Sequence, residues 1–119
     1  MADSMAIDIT WLRKTFDEDS VLAELYTMYV GDTTKRLLEL NGAFAAKDAT
    51  RCSRVAHAMK GSSGNVGAGR MRELAAQLEK HDWTTDPAGV EALVQSLDVE
   101  FSRVRVFVEQ FLAGSPVAS

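Results

Sequence analysis

The chain has 119 residues, 13 of them Lys or Arg and 17 Asp or Glu, for a formal net charge of −4. That length suits one compact domain, and a mildly acidic balance provides no electrostatic pull toward nucleic acid or an anionic membrane. The single cysteine, Cys52, excludes an intramolecular disulfide and leads us to expect a cytoplasmic protein. No apolar run approaches the ~18 residues of a membrane span, and the N-terminus lacks the basic and apolar regions of a secretory signal.

We expect residues 1–119 to form one domain, ordered over about 8–113 and flexible over 114–119. With only Pro87 and Pro116 in the chain, long helices are favoured. A short first helix is expected from Asp8 to Phe16, with Ile9, Leu12 and Phe16 at helical spacing and Trp11 beside them. The acidic run Asp17-Glu18-Asp19-Ser20 breaks that pattern and should cap the next helix. That second helix is expected from Ser20 to Ala46, its core stripe being Leu22, Leu25, Tyr29, Thr33, Leu37, Leu40 and Phe44. Gly31 interrupts helix propensity without changing the phase. Leu38 lies on the far side, with Gly31, Lys35 and Gly42.

Lys47-Asp48 reads as a tight turn, with Asp48 capping a third helix from Ala49 to Asn65 or Val66. Cys52, Val55, Ala56, Met59, Ser63 and Val66 share its apolar face, and Gly67 is placed to end it. A fourth helix is expected from Ala68 to His81, packed through Met71, Leu74, Ala75 and Leu78. Asp86-Pro87 starts the last helix, which should run to Leu112 on Val90, Leu93, Val94, Leu97, Phe101, Val104, Val108 and Phe111. The expected fold is therefore all-α: an antiparallel up-down-up-down four-helix bundle with a short additional N-terminal helix.

The third helix carries the candidate chemistry, in the stretch His57-Ala58-Met59-Lys60-Gly61-Ser62-Ser63-Gly64-Asn65-Val66-Gly67-Ala68. At about 100° per residue from Cys52, His57 falls at about 140°, Lys60 at about 80°, Gly61 at about 180° and Gly64 at about 120°. His57 thus points away from the core, flanked by Lys60, on a face that Gly61 and Gly64 clear of side chains. Each mid-helix glycine costs roughly 1 kcal/mol relative to alanine, so two in one turn imply a need for access. A neutral imidazole is nucleophilic and can accept a phosphoryl group, whose charge a nearby lysine would partly offset. Ser63 reads as a packing residue, His81 as a basic residue suited to a helix end, and Cys52 as a buried, inert thiol.

His57-x-Met59-Lys60-Gly61-Ser62-Ser63-x-x-Val66-Gly67-Ala68 resembles the signature of histidine-containing phosphotransfer (HPt) domains, and the helix layout is similar over most of the chain. Met59 stands where leucine is commoner, and Gly64 where alanine is frequent. The resemblance implies a phosphorelay carrier. In this reading His57 is phosphorylated, Lys60 is its charge partner and Gly61 keeps the approach clear. Response-regulator receiver domains and a sensor or hybrid histidine kinase would be the partners, with no nucleic acid or membrane involved, and a monomer is expected. The chain would carry no cofactor of its own, Mg²⁺ residing in the receiver, and would not be an enzyme itself. The implied receiver-docking surface on the first three helices includes Trp11, Met28, Gly31, Asp32, Lys35, Gly61 and Gly64. A bundle that binds receivers without transferring phosphate is the alternative. A metal-dependent bundle enzyme is disfavoured, because the chain has no Glu-x-x-His pair and no metal ligands are expected.

Overall fold

A computed structural model describes residues 6–114. They form five helices: α1 (Ile9–Arg13), α2 (Asp19–Ala45), α3 (Ala49–Asn65), α4 (Gly69–Lys80) and α5 (Pro87–Leu112). α3 packs on α2 and α4, and α5 closes the ring by packing on α4 and α2. Short connections between successive long helices leave each antiparallel to the one before it, giving a four-helix bundle with α1 as an added element. The expected flexible tail lies, apart from Gly114, outside the described residues.

The turns follow local chemistry. Asp8, Asp48 and Asp86 accept hydrogen bonds from the backbone N–H groups of Trp11, Arg51 and Gly89, capping α1, α3 and α5. The α2–α3 turn puts Lys47 in the left-handed region (φ 56°) and is closed by Asp48 N–H donating to the Ala43 carbonyl at 2.9 Å. α3 ends at Gly67, whose φ of 74° suits a residue without a side chain. The Gly67 carbonyl accepts from Asp8 N–H at 2.9 Å, tying the N-terminal segment to the α3–α4 turn.

Three expectations are corrected. α1 ends at Arg13 instead of Phe16. After it, Lys14 and Thr15 donate to carbonyls three residues back, and Phe16 is only half-buried. The acidic run before α2 provides no side-chain cap: the N-cap is Glu18, which makes no such bond, while Asp19 adds negative charge in the first turn and pairs with Arg13. The buried arcs are also wider than single stripes. Tyr26, Ala43 and Phe107 are buried, whereas Leu25, Phe44, Leu93 and Phe111 only pack at the margin. α2 and α5 each touch two neighbouring helices, so two flanks of each are covered. Tyr26 meets Phe107 and Phe111 edge-on, with ring centroids 6.0 and 5.2 Å apart.

Candidate functional site

α3 keeps its helix through Gly61 and Gly64 because its inner face is held: Cys52, Val55, Ala56, Met59 and Ser63 are all buried. Tertiary packing outweighs the propensity cost of the glycines. A buried hydrogen bond of 2.7 Å joins the Tyr29 and Ser63 hydroxyls, and Arg51 Nε donates to Glu39 Oε2 at 3.1 Å. These two pairs fix the antiparallel register of α2 and α3. To within a residue, Lys35 lies level with His57, Gly31 with Gly61, and Met28 with Gly64.

His57 projects outward with 70% of its side chain exposed. The sequence did not reveal its partner. Glu79, near the end of α4, places Oε2 at 2.7 Å from His57 Nδ1, and its Oε1 accepts from Lys60 Nζ at 2.8 Å. One carboxylate therefore joins both residues of the motif. The Lys60 hydrogen bond, followed by that of His57, holds the Glu79 carboxyl below its ordinary value. An ionised carboxylate only accepts hydrogen bonds, so Nδ1 of His57 carries the proton and donates it. In the neutral ring the lone pair is then on Nε2, on a side chain that is largely exposed. Lys60 is not a free cation; it is committed to Glu79. The only sequence hint of Glu79 was its place on α4, beside the buried Leu78. Its pairing depends on the α3–α4 register, which periodicity does not determine.

The two glycines have different surroundings. A Cβ on Gly61 would meet nothing within 4 Å, and the same is true of Gly31 on α2. A Cβ on Gly64 would lie 3.2 Å from Cδ of Arg72, so Gly64 faces α4 and carries the Arg72 stem across it. Gly61 thus leaves open space beside His57, whereas the space at Gly64 is taken by a neighbouring helix. Ser63 is buried and bonded to Tyr29; Ser62 donates to the Met59 carbonyl at 3.3 Å.

The remaining docking candidates are on α1 and α2. Met28 is 69% exposed and Trp11 is 50% exposed, with the Trp11 ring close to Gly67. Asp32 accepts from Arg36 Nε at 2.8 Å, while Lys35 is exposed and makes no ion pair among the described residues. His81, expected at a helix end, caps α4 and places Nε2 3.0 Å from the Asp86 carbonyl oxygen. Among the described residues, no three or more His, Cys, Asp or Glu side chains gather as a metal site, and no helix is long and apolar enough to cross a membrane.

Comparison with known proteins gives two matches of consequence. A family model described as Hpt domain matches residues 24–105. The chain also resembles a solved structure, histidine-containing phosphotransfer protein B (HptB) from Pseudomonas aeruginosa PAO1. The identity is 27% and the TM-score 0.77, covering 88% of this chain and 92% of that one. No curated protein matches.

Proposed function

The chain belongs to the Hpt-domain family, and from that premise we propose that it is a phosphorelay carrier that is phosphorylated on His57. The observation that supports this reading is the exposed imidazole whose Nδ1–H is engaged by Glu79, leaving the Nε2 lone pair beside the open surface at Gly61.

In the transfer, Nε2 attacks the phosphorus of a receiver's aspartyl phosphate. The N–P bond forms as the P–O bond breaks, and the electron pair of that bond returns to the aspartate carboxylate. Using its lone pair makes the ring cationic, with the Nδ1 proton still in place. Glu79 stabilises that charge through the existing hydrogen bond without moving. Lys60 keeps Glu79 ionised and aimed, and its positive charge lies one helical turn from the phosphoryl group. Transfer onward is the reverse: an aspartate oxygen bonds to phosphorus and the N–P electrons return to Nε2. Mg²⁺ and the residues that activate the aspartate belong to the receiver in this reading. The receiver docks across Gly61 on the α2 side, over Met28, Gly31, Asp32 and Lys35, with Trp11 at the margin.

The test is to incubate the chain with each phosphorylated receiver of its source organism, and separately with phosphoramidate. Acid-labile, alkali-stable phosphate is expected on His57 and absent from His57→Gln. A wild-type chain that no receiver and no phosphoramidate can label would overturn the reading, and would favour a bundle that binds without transfer.

A further inference from the structure

On the side of His57 away from α2, α3 and α4 leave a cleft lined by Lys60, Gly69, Arg72, Glu73, Ala76 and Lys80. Three of these six residues are cations, in a chain whose net charge is −4. The acidic groups nearby are engaged. Glu79 is held by Lys60 and His57, and the Glu73 carboxylate leans toward Arg70, 3.7 Å from Nη1. Arg72 and Lys80 are exposed, and among the described residues neither has a carboxylate within ion-pairing distance. The free positive charge of the cleft therefore resides on these two side chains.

Their placement is regular. Arg72, Ala76 and Lys80 follow one another at four-residue spacing on one face of α4. The two cations are two turns apart, about 12 Å along the helix, with the small Ala76 between them. Gly69 adds no side chain at one end, and the Arg72 stem is steadied across Gly64. Two unpaired cations with a shallow floor between them match a segment that carries two or more carboxylates along its length, and they concentrate positive potential on a protein that is otherwise acidic.

We infer that the α3–α4 cleft is a second docking groove, which takes an acidic segment of the protein that exchanges phosphate with His57. This rests on the phosphotransfer reading for the identity of the partner. The groove itself rests on the charges and geometry of α4. It is distinct from the Met28–Gly31–Lys35 face, since that face is carried by α2 and the groove by α4, each packed on α3. A partner seated over Gly61 would be held from both flanks, with His57 between them.

The probe for the groove is a deca-glutamate peptide added to the full ¹⁵N-labelled chain at low salt. Resonance shifts are expected to cluster at Lys60, Arg72, Ala76 and Lys80, and to vanish at about 0.5 M salt, where the screening length is only a few ångströms. They should also vanish in Arg72→Glu/Lys80→Glu. With the receiver that labels His57 fastest, that double variant should lower the second-order transfer rate about tenfold at low salt. Arg72→Gln/Lys80→Gln, which removes the two charges without reversing them, should lower it less, and Arg105→Glu at an exposed position of α5 should leave it unchanged. Peptide shifts located elsewhere or absent, or a double variant within twofold of wild type, would overturn the groove. Peptide shifts in the cleft together with a wild-type chain that no receiver and no phosphoramidate can label would instead overturn the phosphotransfer reading, and with it the partner assigned here.

Discussion

Oε2 of Glu79 lies 2.7 Å from Nδ1 of His57, joining α4 to α3 across 22 residues of sequence. This contact sets the tautomer of the neutral ring, and in the proposed transfer it would leave Nε2 as the attacking nitrogen. Lys60, the other conspicuous residue of the motif, acts through the same carboxylate. Removing the carboxylate should free the ring to exchange tautomers. Glu79→Ala is expected to replace a single protonated-Nδ1 signature in the ¹⁵N spectrum of His57 with an average of both tautomers, and to slow receiver transfer about tenfold. Glu79→Gln, whose amide oxygen still accepts from Nδ1–H, should keep the tautomer and recover part of the rate. If Glu79→Ala leaves both the spectrum and the rate unchanged, Glu79 does not position His57.

The carboxylate has its own pH signature. Its folded-state pKa is lowered, chiefly by the Lys60 hydrogen bond, from an ordinary 4.5. A depressed carboxylate pKa contributes stability above the ordinary value, and that contribution is lost as pH falls through the lowered one. A ¹³C titration of the Glu79 carboxyl should therefore have its midpoint below 4.5. Lys60→Met should move the midpoint upward, because it removes the largest cause. An unmoved midpoint in that variant would show that Lys60 does not hold Glu79.

Glycine substitutions separate access from stability. Added Cβ atoms at Gly31, Gly42 and Gly61 meet nothing within 4 Å. Gly42→Ala and Gly61→Ala should each raise stability by up to about 1 kcal/mol, the helix-propensity difference. Gly61→Gln should also fold, since the space outside is open, but its longer side chain should obstruct a visiting receiver and slow transfer. Wild-type transfer rates in a folded Gly61→Gln would rule out the access argument.

Tyr26 is fully buried in the bundle, and among the described residues its hydroxyl has no hydrogen-bond partner. Burial, the largest cause, pushes its pKa up to about 12 from 10.0. A raised pKa means that stability is fully present below the ordinary value and falls as pH rises through the folded-state one. Wild-type stability should thus decline between pH 10 and about 12, and Tyr26→Phe should lack that slope. At neutral pH the same variant should be neutral or more stable by about 1 kcal/mol, because it removes a desolvated, unpaired hydroxyl. Denaturant unfolding at two pH values checks both. A loss of several kcal/mol at neutral pH would mean that the hydroxyl is bonded in the protein.

Much of the fold was legible along the chain because the signals are local. Asp48 and Asp86 cap the helices they precede, Gly67 turns α3 into α4, and helical periodicity turns His57 away from Cys52. Where α1 ends was less legible, since Ile9, Leu12 and Phe16 keep helical spacing past Arg13, while Lys14 and Thr15 turn to carbonyls three residues back. The arcs buried on α2 and α5 are wider than periodicity shows, because periodicity marks one stripe whereas each helix contacts two neighbours.

By itself, then, the sequence determined the helices, the outward histidine and the glycines that thin its surface, all set by spacing within single helices. The surroundings of that histidine were decided only by the tertiary structure. The α3–α4 register brings Glu79 to both His57 and Lys60, lays Arg72 over Gly64 and opens a cationic cleft alongside. Periodicity fixes the direction in which a side chain points, but its height against a neighbouring helix depends on how core side chains interlock, and that interlocking is a property of the packed bundle.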